Sequence, residues 1–265
     1  MLDFTIKQYS ILLSALMQGN YTFQTFGEFI QNPAERAIML RHDVDDKKEN
    51  SLEFARILHK SGIRGSFYFR IVSQSFDPEI IRQIAGMGHE IGYHYEDMDF
   101  ARRINISGTY ESRQHSLAWS LFRKHLSDMR EICPITTISM HGSPRSRYDN
   151  KALWQKYDFR ELGIIGEPYL DVNFNEVAYF TDTGRRWNGH DVSIRDKVAD
   201  GFNFNFRTTQ QIIENINRLP DKIMFTFHPQ RWTDRPLPWL RELIMQNIKN
   251  VVKGVLVKRN WNEEA

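Results

Sequence analysis

The chain has 265 residues, 41% of them hydrophobic, and a net charge of +2. That is enough for one sizeable α/β core, and it lacks the basic stripe with interleaved aromatics that a nucleic-acid partner would call for. The single Cys133 excludes an intrachain disulfide framework, no apolar window is long enough to span a bilayer, and Met1–Thr5 lacks the basic-then-apolar pattern of a secretory signal, so a cytoplasmic protein is expected.

Residues 1–35 read as a helical cap, with Phe4, Tyr9, Leu12, Leu13 and Leu16, a turn at Gly19-Asn20, and a second short helix around Phe26 and Phe29. From residue 36 strands and helices alternate. Ala37–Leu40 is a buried-strand pattern, and Lys48–Lys60 has helical spacing at Leu52, Ala55, Ile57 and Leu58. Gly65–Ile71 is an aromatic-rich strand. Asp77-Pro78-Glu79 is an N-cap, a first-turn proline and an acid, opening a helix that runs to about Met87. Glu90–His94 is a strand, 110–130 a long helix, Ile135–Met140 a strand and Asn150–Tyr157 a short helix. Ile164–Ile165 and Val177–Phe180 are further strand candidates. Thr208–Arg218 is a helix ended by Leu219-Pro220, Ile223–Phe227 a strand, and a C-terminal helix starts near Trp239. Cys133, before Pro134, reads as a half-buried inert thiol. About seven strand–helix units predict a single domain, 1–265, built as an irregular (β/α) barrel of parallel strands.

Four polar clusters each follow an apolar run. They are Arg41-His42-Asp43-Val44-Asp45-Asp46, Gly88-His89-Glu90-Ile91-Gly92-Tyr93-His94-Tyr95-Glu96, Ser139-Met140-His141-Gly142 and His228-Pro229-Gln230. Parallel strands in a barrel deliver their C-terminal ends to one rim, where histidines and carboxylates together suit a hydrolytic metal site. Asp43 and Asp45 are expected to point into that site, with Asp46 capping the helix that follows. Glu96, two residues beyond His94, faces the same way on an extended chain. His89 falls at the opposite end of its strand and reads as structural; His59, His115 and His125 lie in helices and read as packing or surface residues; His190 is left open. The Gly- and Arg-rich loop holding Asp182 and Trp187, together with Trp232 beyond His228, suits an exposed carbohydrate or anion contact.

In order and spacing these clusters resemble the polysaccharide deacetylase superfamily, carbohydrate esterase family 4 and its relatives, over residues 37–232. Gly88-His89-Glu90-Ile91-Gly92-Tyr93-His94 matches that family's Gly-His-Glu-Ile-Gly-Asn-His most specifically. Gly65-Ser66-Phe67-Tyr68-Phe69 resembles its Ala-Thr-Phe-Phe strand, and Phe227-His228 its Leu-x-His. The chain departs from the pattern at three places. Val44 stands where the family has an adjacent second aspartate, Met98 where it has a second metal histidine, and His141 where it has an arginine motif. The resemblance implies a hydrolase of non-peptide carbon–nitrogen bonds in a divergent His-Asp-Val-Asp branch, removing an N-acetyl group from an acetamido sugar. It further implies Asp43 as base, His228 as acid and a divalent metal, zinc by preference, on Asp45, His94 and His141. Glu96, Asp182, Trp187 and Trp232 would lie on the substrate side. The missing second histidine keeps open the alternative of an inactive carbohydrate- or partner-binding relative.

Overall fold

A computed structural model describes residues 2–104, 111–142, 149–187, 198, 201–202 and 204–263, with backbone alone at 111–112 and 252–263. Seven strands form one sheet: β1 (Thr22–Gln24), β2 (Ala37–Val44), β3 (Ser66–Phe69), β4 (Glu90–Tyr95), β5 (Ile138–Met140), β6 (Ala178–Thr181) and β7 (Lys222–Phe227). The order is β5-β4-β3-β2-β7-β6, with β1 paired to the first half of β2, and every pairing is parallel. All C-terminal strand ends therefore share one rim.

Among the described residues no ladder joins β5 to β6, so the sheet is a curled half-barrel. The segment 164–177 fills that side. Ile165 N–H donates to the Thr136 carbonyl (2.8 Å) and Ile138 N–H to that of Gly166 (3.1 Å). Ile164–Ile165 thus runs beside β5 without becoming a strand of its own.

The helices are α1 (Ile6–Gln18), α2 (Phe26–Gln31), α3 (Lys48–Lys60), α4 (Pro78–Gly86), α5 (Asp97–Ile104), α6 (Glu111–Arg130), α7 (Pro168–Asp171), α8 (Thr209–Glu214) and α9 (Pro236–Glu263). Local chemistry explains several boundaries. Asp77 caps α4 through the N–H groups of Glu79 and Ile80, ahead of Pro78. Thr25 and Glu28 form a reciprocal capping box on α2. The expected cap of α3 fails: Lys47, at φ 49°, occupies that position without a side-chain cap bond, and Asp46 instead accepts from the Lys47 N–H (2.8 Å).

Residues 1–35 do three separate jobs rather than one. Helix α1 joins the outer layer, where Tyr9 packs on Phe54 and Phe227. Strand β1 extends the sheet. Helix α2 plugs the N-terminal end of the barrel, with Phe26 and Phe29 in the inner core and the Gly27 N–H donating to Glu90 (3.1 Å).

Alternation along each strand splits the core into two layers. Ile38, Leu40 and Val44 of β2, Phe67, Tyr93 and Phe225 face outward against the helices. Ala37, Met39, Tyr68, Tyr179 and Met224 face inward. Gly92 is required at this level: a Cβ there would lie 2.2 Å from the Tyr68 ring and 3.0 Å from the Thr137 carbonyl. Above that ring the interior turns polar, and the site begins.

Candidate metal and acid–base site

Strand β2 runs four residues further than its apolar run predicts, because the polar residues Arg41 and Asp43 occupy inward positions. The outward partner Val44 is fully buried in the helical layer. Asp45 follows two residues after Asp43, so both carboxylates emerge on the same side of the chain. An adjacent pair could not do this in an extended strand. On β4 the same parity sends Gly92 and His94 inward and Tyr93 and Tyr95 outward.

Asp45 Oδ1 lies 3.1 Å from His141 Nδ1 and 3.4 Å from His94 Nε2, and the two nitrogens are 3.3 Å apart. Together these three residues can each offer one ligand atom, all mutually within 4.8 Å. Tetrahedral bonds of about 2.0–2.2 Å to zinc would set neighbouring ligand atoms about 3.3–3.6 Å apart. Two of the observed spacings, 3.3 and 3.4 Å, lie within that range, and the third, 3.1 Å, is slightly shorter. Two further observations fit a cation. Asp45 Oδ1 is buried and accepts no hydrogen bond, which is costly for a carboxylate unless something else pairs with it. His94 Nδ1–H donates to the Ser139 carbonyl (2.9 Å), which fixes the tautomer and leaves Nε2 as a lone pair, the usual support of a metal-bound histidine.

Asp43 and His228 border this triad. Asp43 Oδ2 is 3.8 Å from His94 Nε2 and His228 Nε2 is 3.9 Å from Asp45 Oδ2. Arg41 grips Asp43 in a two-pronged bond, Nε to Oδ1 at 2.8 Å and Nη2 to Oδ2 at 2.6 Å. Burial alone would raise the Asp43 carboxyl, but the Arg41 guanidinium, helped by His94, outweighs it and holds the group below the ordinary range. Burial likewise opposes ionisation of Asp45, and His141 beside it more than compensates, so Asp45 sits well below the usual carboxylate range.

His228 is held from behind. Its Nδ1–H donates to Asp182 Oδ1 (2.6 Å), and its backbone N–H donates to Oδ2 (2.9 Å). Asp182 also accepts from Arg231 Nη1 (2.7 Å) and the Trp232 indole (2.6 Å). Burial pushes Asp182 upward, yet His228 and Arg231 keep it below its ordinary value. Asp182 therefore backs His228 and is fully buried; it has no surface to offer a ligand. The two tryptophans are also in the wrong layer for an exposed contact. Trp187 packs on Phe227 and Trp232 on Phe4, Tyr9 and Phe54, and both are buried. Their indole N–H groups are used internally, by Thr209 and Asp182.

Glu96 does face the rim, but its Oε1 is taken by Arg70 Nε (2.8 Å) and Nη2 (2.6 Å). Arg70 Nη1 reaches on to the Asp45 carbonyl (3.1 Å), and Gln230 donates to Asp45 Oδ2 (3.2 Å). Arg41, Arg70, Gln230 and Arg231 are site residues that the histidine-and-aspartate search passed over. Arg41 was findable: it lies two residues before Asp43, on the same face of one strand.

The other histidines are structural. His89 bonds the Ala55 carbonyl and the Gly65 N–H at the far end of β4. His125 pairs with Asp97 (2.7 Å) in the helical layer. His190 and Ser143-Pro144 lie outside the described residues. Burial raises the Cys133 thiol, in keeping with an inert group.

No family model and no curated protein matches the chain. Among solved structures it is similar to a family 4 carbohydrate esterase from Bacillus anthracis, at 10% identity and TM-score 0.37, covering 89% of this chain and 84% of that one. It is also similar to Bacillus subtilis PdaA, a family 4 carbohydrate esterase, at 14% identity and TM-score 0.36, covering 89% and 83%. Likenesses of this depth transfer no residue role or activity.

Proposed function

We propose that the protein is a metal-dependent hydrolase that removes an N-acetyl group from an acetamido sugar. The observation that carries the reading is the triad: a carboxylate and two imidazoles at one rim, each offering one ligand atom, all mutually within 4.8 Å. Asp45, His94 and His141 would hold the ion, leaving a coordination position open as in catalytic zinc sites. When bound, such an ion polarises an acyl carbonyl and acidifies water.

The chain's own groups supply the proton handling. Asp43, kept ionised by Arg41, accepts a proton from the attacking water. His228 supplies the proton to the departing amine through Nε2, because Asp182 occupies Nδ1 and stabilises the imidazolium. Base and acid border the same triad, so one reacting amide can meet both. The resemblance of Gly88–His94 and of the other clusters to polysaccharide deacetylases supports the substrate class. We propose further that it acts in the cytoplasm on a nucleotide- or lipid-linked sugar in cell-surface polysaccharide assembly of the O-antigen type.

Metal analysis of the purified protein, combined with acetate release from a panel of acetamido sugars, tests the reading. Co-purified or tightly bound divalent metal and metal-dependent acetate release are expected. A chain that binds no divalent metal, or whose acetate release survives His94→Ala unchanged, sinks it.

A further inference from the structure

Helix α9 meets the body of the protein through a mixed side: Trp239 donates its indole N–H to the Asp3 carbonyl (2.8 Å), and Gln246 and Asn250 are buried, bonded to one another (3.0 Å), with Asn250 Nδ2 donating to the Gly184 carbonyl (2.9 Å). The side that faces away is apolar, with Leu237 78%, Leu240 47%, Ile244 51%, Ile248 54% and Val251 70% exposed. Their spacings of three, four, four and three residues put them on one straight stripe along a helix. Six of the ten exposed large hydrophobics among the described residues, Met245 included, belong to this one helix. A soluble helix normally shows the reverse arrangement, and a contiguous exposed apolar stripe marks a surface that something covers.

Charge decides what covers it. The single acid between residues 235 and 259 is Glu242, and Lys47 neutralises it at 3.2 Å. Arg241 and Lys249 are exposed beside the stripe without an ion pair among the described residues. The sequence 252–265 adds Lys253, Lys258, Arg259 and Trp261 against two acids, Glu263 and Glu264, so bases still outnumber acids from Arg241 on by five to three. A second copy laid on this stripe would bring basic residues against basic residues. An anionic lipid surface would meet apolar stripe and basic flanks together, the pattern of a helix lying in the plane of the interface. No helix among the described residues is long and apolar enough to cross a membrane, so lying on the surface is the mode that fits.

We infer that α9 seats the protein on an anionic membrane surface. Its anchors give that seating an orientation. Lys47 follows β2 and Gly184 follows β6, so α9 is tied to loops at the C-terminal rim, and the rim carrying Asp45 and His141 comes to the lipid. This inference is independent of the proposed chemistry: it stands or falls on binding alone.

Vesicle co-sedimentation of the full chain provides the test. Vesicles of phosphatidylcholine with phosphatidylglycerol are expected to retain the protein at least about tenfold better than phosphatidylcholine alone, with the advantage lost as salt rises. Ile244→Glu/Ile248→Glu is expected to abolish retention and Arg241→Glu/Lys249→Glu to weaken it, both with the far-UV spectrum and melting temperature of the parent, since all four side chains are exposed. Absence of retention on anionic vesicles overturns the inference. So does a lipid-free dimer that Ile244→Glu/Ile248→Glu breaks, which would make the stripe a seam between copies.

Discussion

The two faces of the sheet use the same residue type in opposite ways. His42 and His94 are both buried histidines, on strands β2 and β4, which flank β3. His42 points outward, stacked between Phe67 (4.2 Å, 9°) and Phe227 (5.4 Å, 17°). Both its nitrogens are used: Nδ1–H donates to the Ser66 carbonyl (3.3 Å) and Nε2 accepts from the Tyr9 hydroxyl (3.2 Å). His94 points inward, spends one nitrogen on the Ser139 carbonyl and leaves the other facing Asp45 and His141. Burial is nearly the same for the two. What separates a packing histidine from a ligand-competent one is the company of its second nitrogen, a tyrosine hydroxyl for His42 and the ligand-type groups of Asp45 and His141 for His94, and strand parity decides which histidine meets which.

The largest test of this contrast is metal content. On the proposed reading His94→Ala removes one of three ligands, so bound metal should fall from about one ion per chain to under a tenth of that. Loss of several kcal/mol of charge stabilisation should cost about a thousandfold in acetate release. His42→Phe, one face away, should leave metal content unchanged. Equal metal loss in both variants would break the contrast.

Next in size is the acid–base pair. His228→Ala should lower acetate release by about a hundred- to ten-thousandfold while the metal stays bound. Asp182→Asn, which does not touch the triad, should also lower the rate with metal still bound, because His228 Nδ1–H loses the carboxylate that orients it. An unchanged rate would reduce Asp182 to a packing group.

Smaller again is the Arg70 latch. Arg70→Gln frees the Asp45 carbonyl and leaves Glu96 buried without its cation. Metal affinity, read by chelator competition, should weaken about ten- to a hundredfold, with the metal-free protein still folded by near-UV spectrum. Unchanged affinity would mean that Asp45 needs no such support.

These comparisons also show what the sequence made legible. Helices α3 and α4 were readable because spacing and caps are local. The parallel curled sheet was readable because apolar runs alternate with helical patterns. The triad Asp45, His94 and His141 was nominated by resemblance and by strand-end position, and the distances bring those three together. Three kinds of feature were not readable. Strand β1 is three residues long and exists only because β2 lies beside it. The polar end of β2 looks like a loop in one dimension, since its strand state depends on pairing with β3 and β7. Trp187, Trp232 and Asp182 look like an exposed binding loop until the aromatic layer of Phe4 and Tyr9 is seen to bury them. In each case the missing information is a contact between distant segments.

The smallest expected effect is on stability, and it isolates the outer face. Burial drives the His42 pKa from 6.5 down to about 3, more than its Ser66 bond can offset. The folded value lies below the unfolded one. Above pH 6.5 neither state is protonated and His42 costs nothing; as pH falls toward 3 the unfolded chain binds a proton that the fold refuses. The His42 contribution should therefore decline through this window, by about 2 kcal/mol at about pH 5, against the opposite trend of Glu167, whose carboxyl burial raises to about 7. The carboxylates Asp43, Asp45 and Asp182 act in a separate, lower window, because their folded values are depressed and their contribution is lost only as pH falls below the ordinary carboxylate range. His42→Phe keeps the stacking surface between Phe67 and Phe227 but strands the Tyr9 hydroxyl and the Ser66 carbonyl, at a cost of about 1–3 kcal/mol at neutral pH. Urea unfolding should show a variant that is weaker than wild type at neutral pH and whose deficit shrinks toward acid, the slopes of His89 and of the raised carboxyl Glu167 being common to both chains. If the acid slope of the variant equals that of wild type, the neutral, fully bonded state of His42 is wrong, and with it the distinction between the two faces.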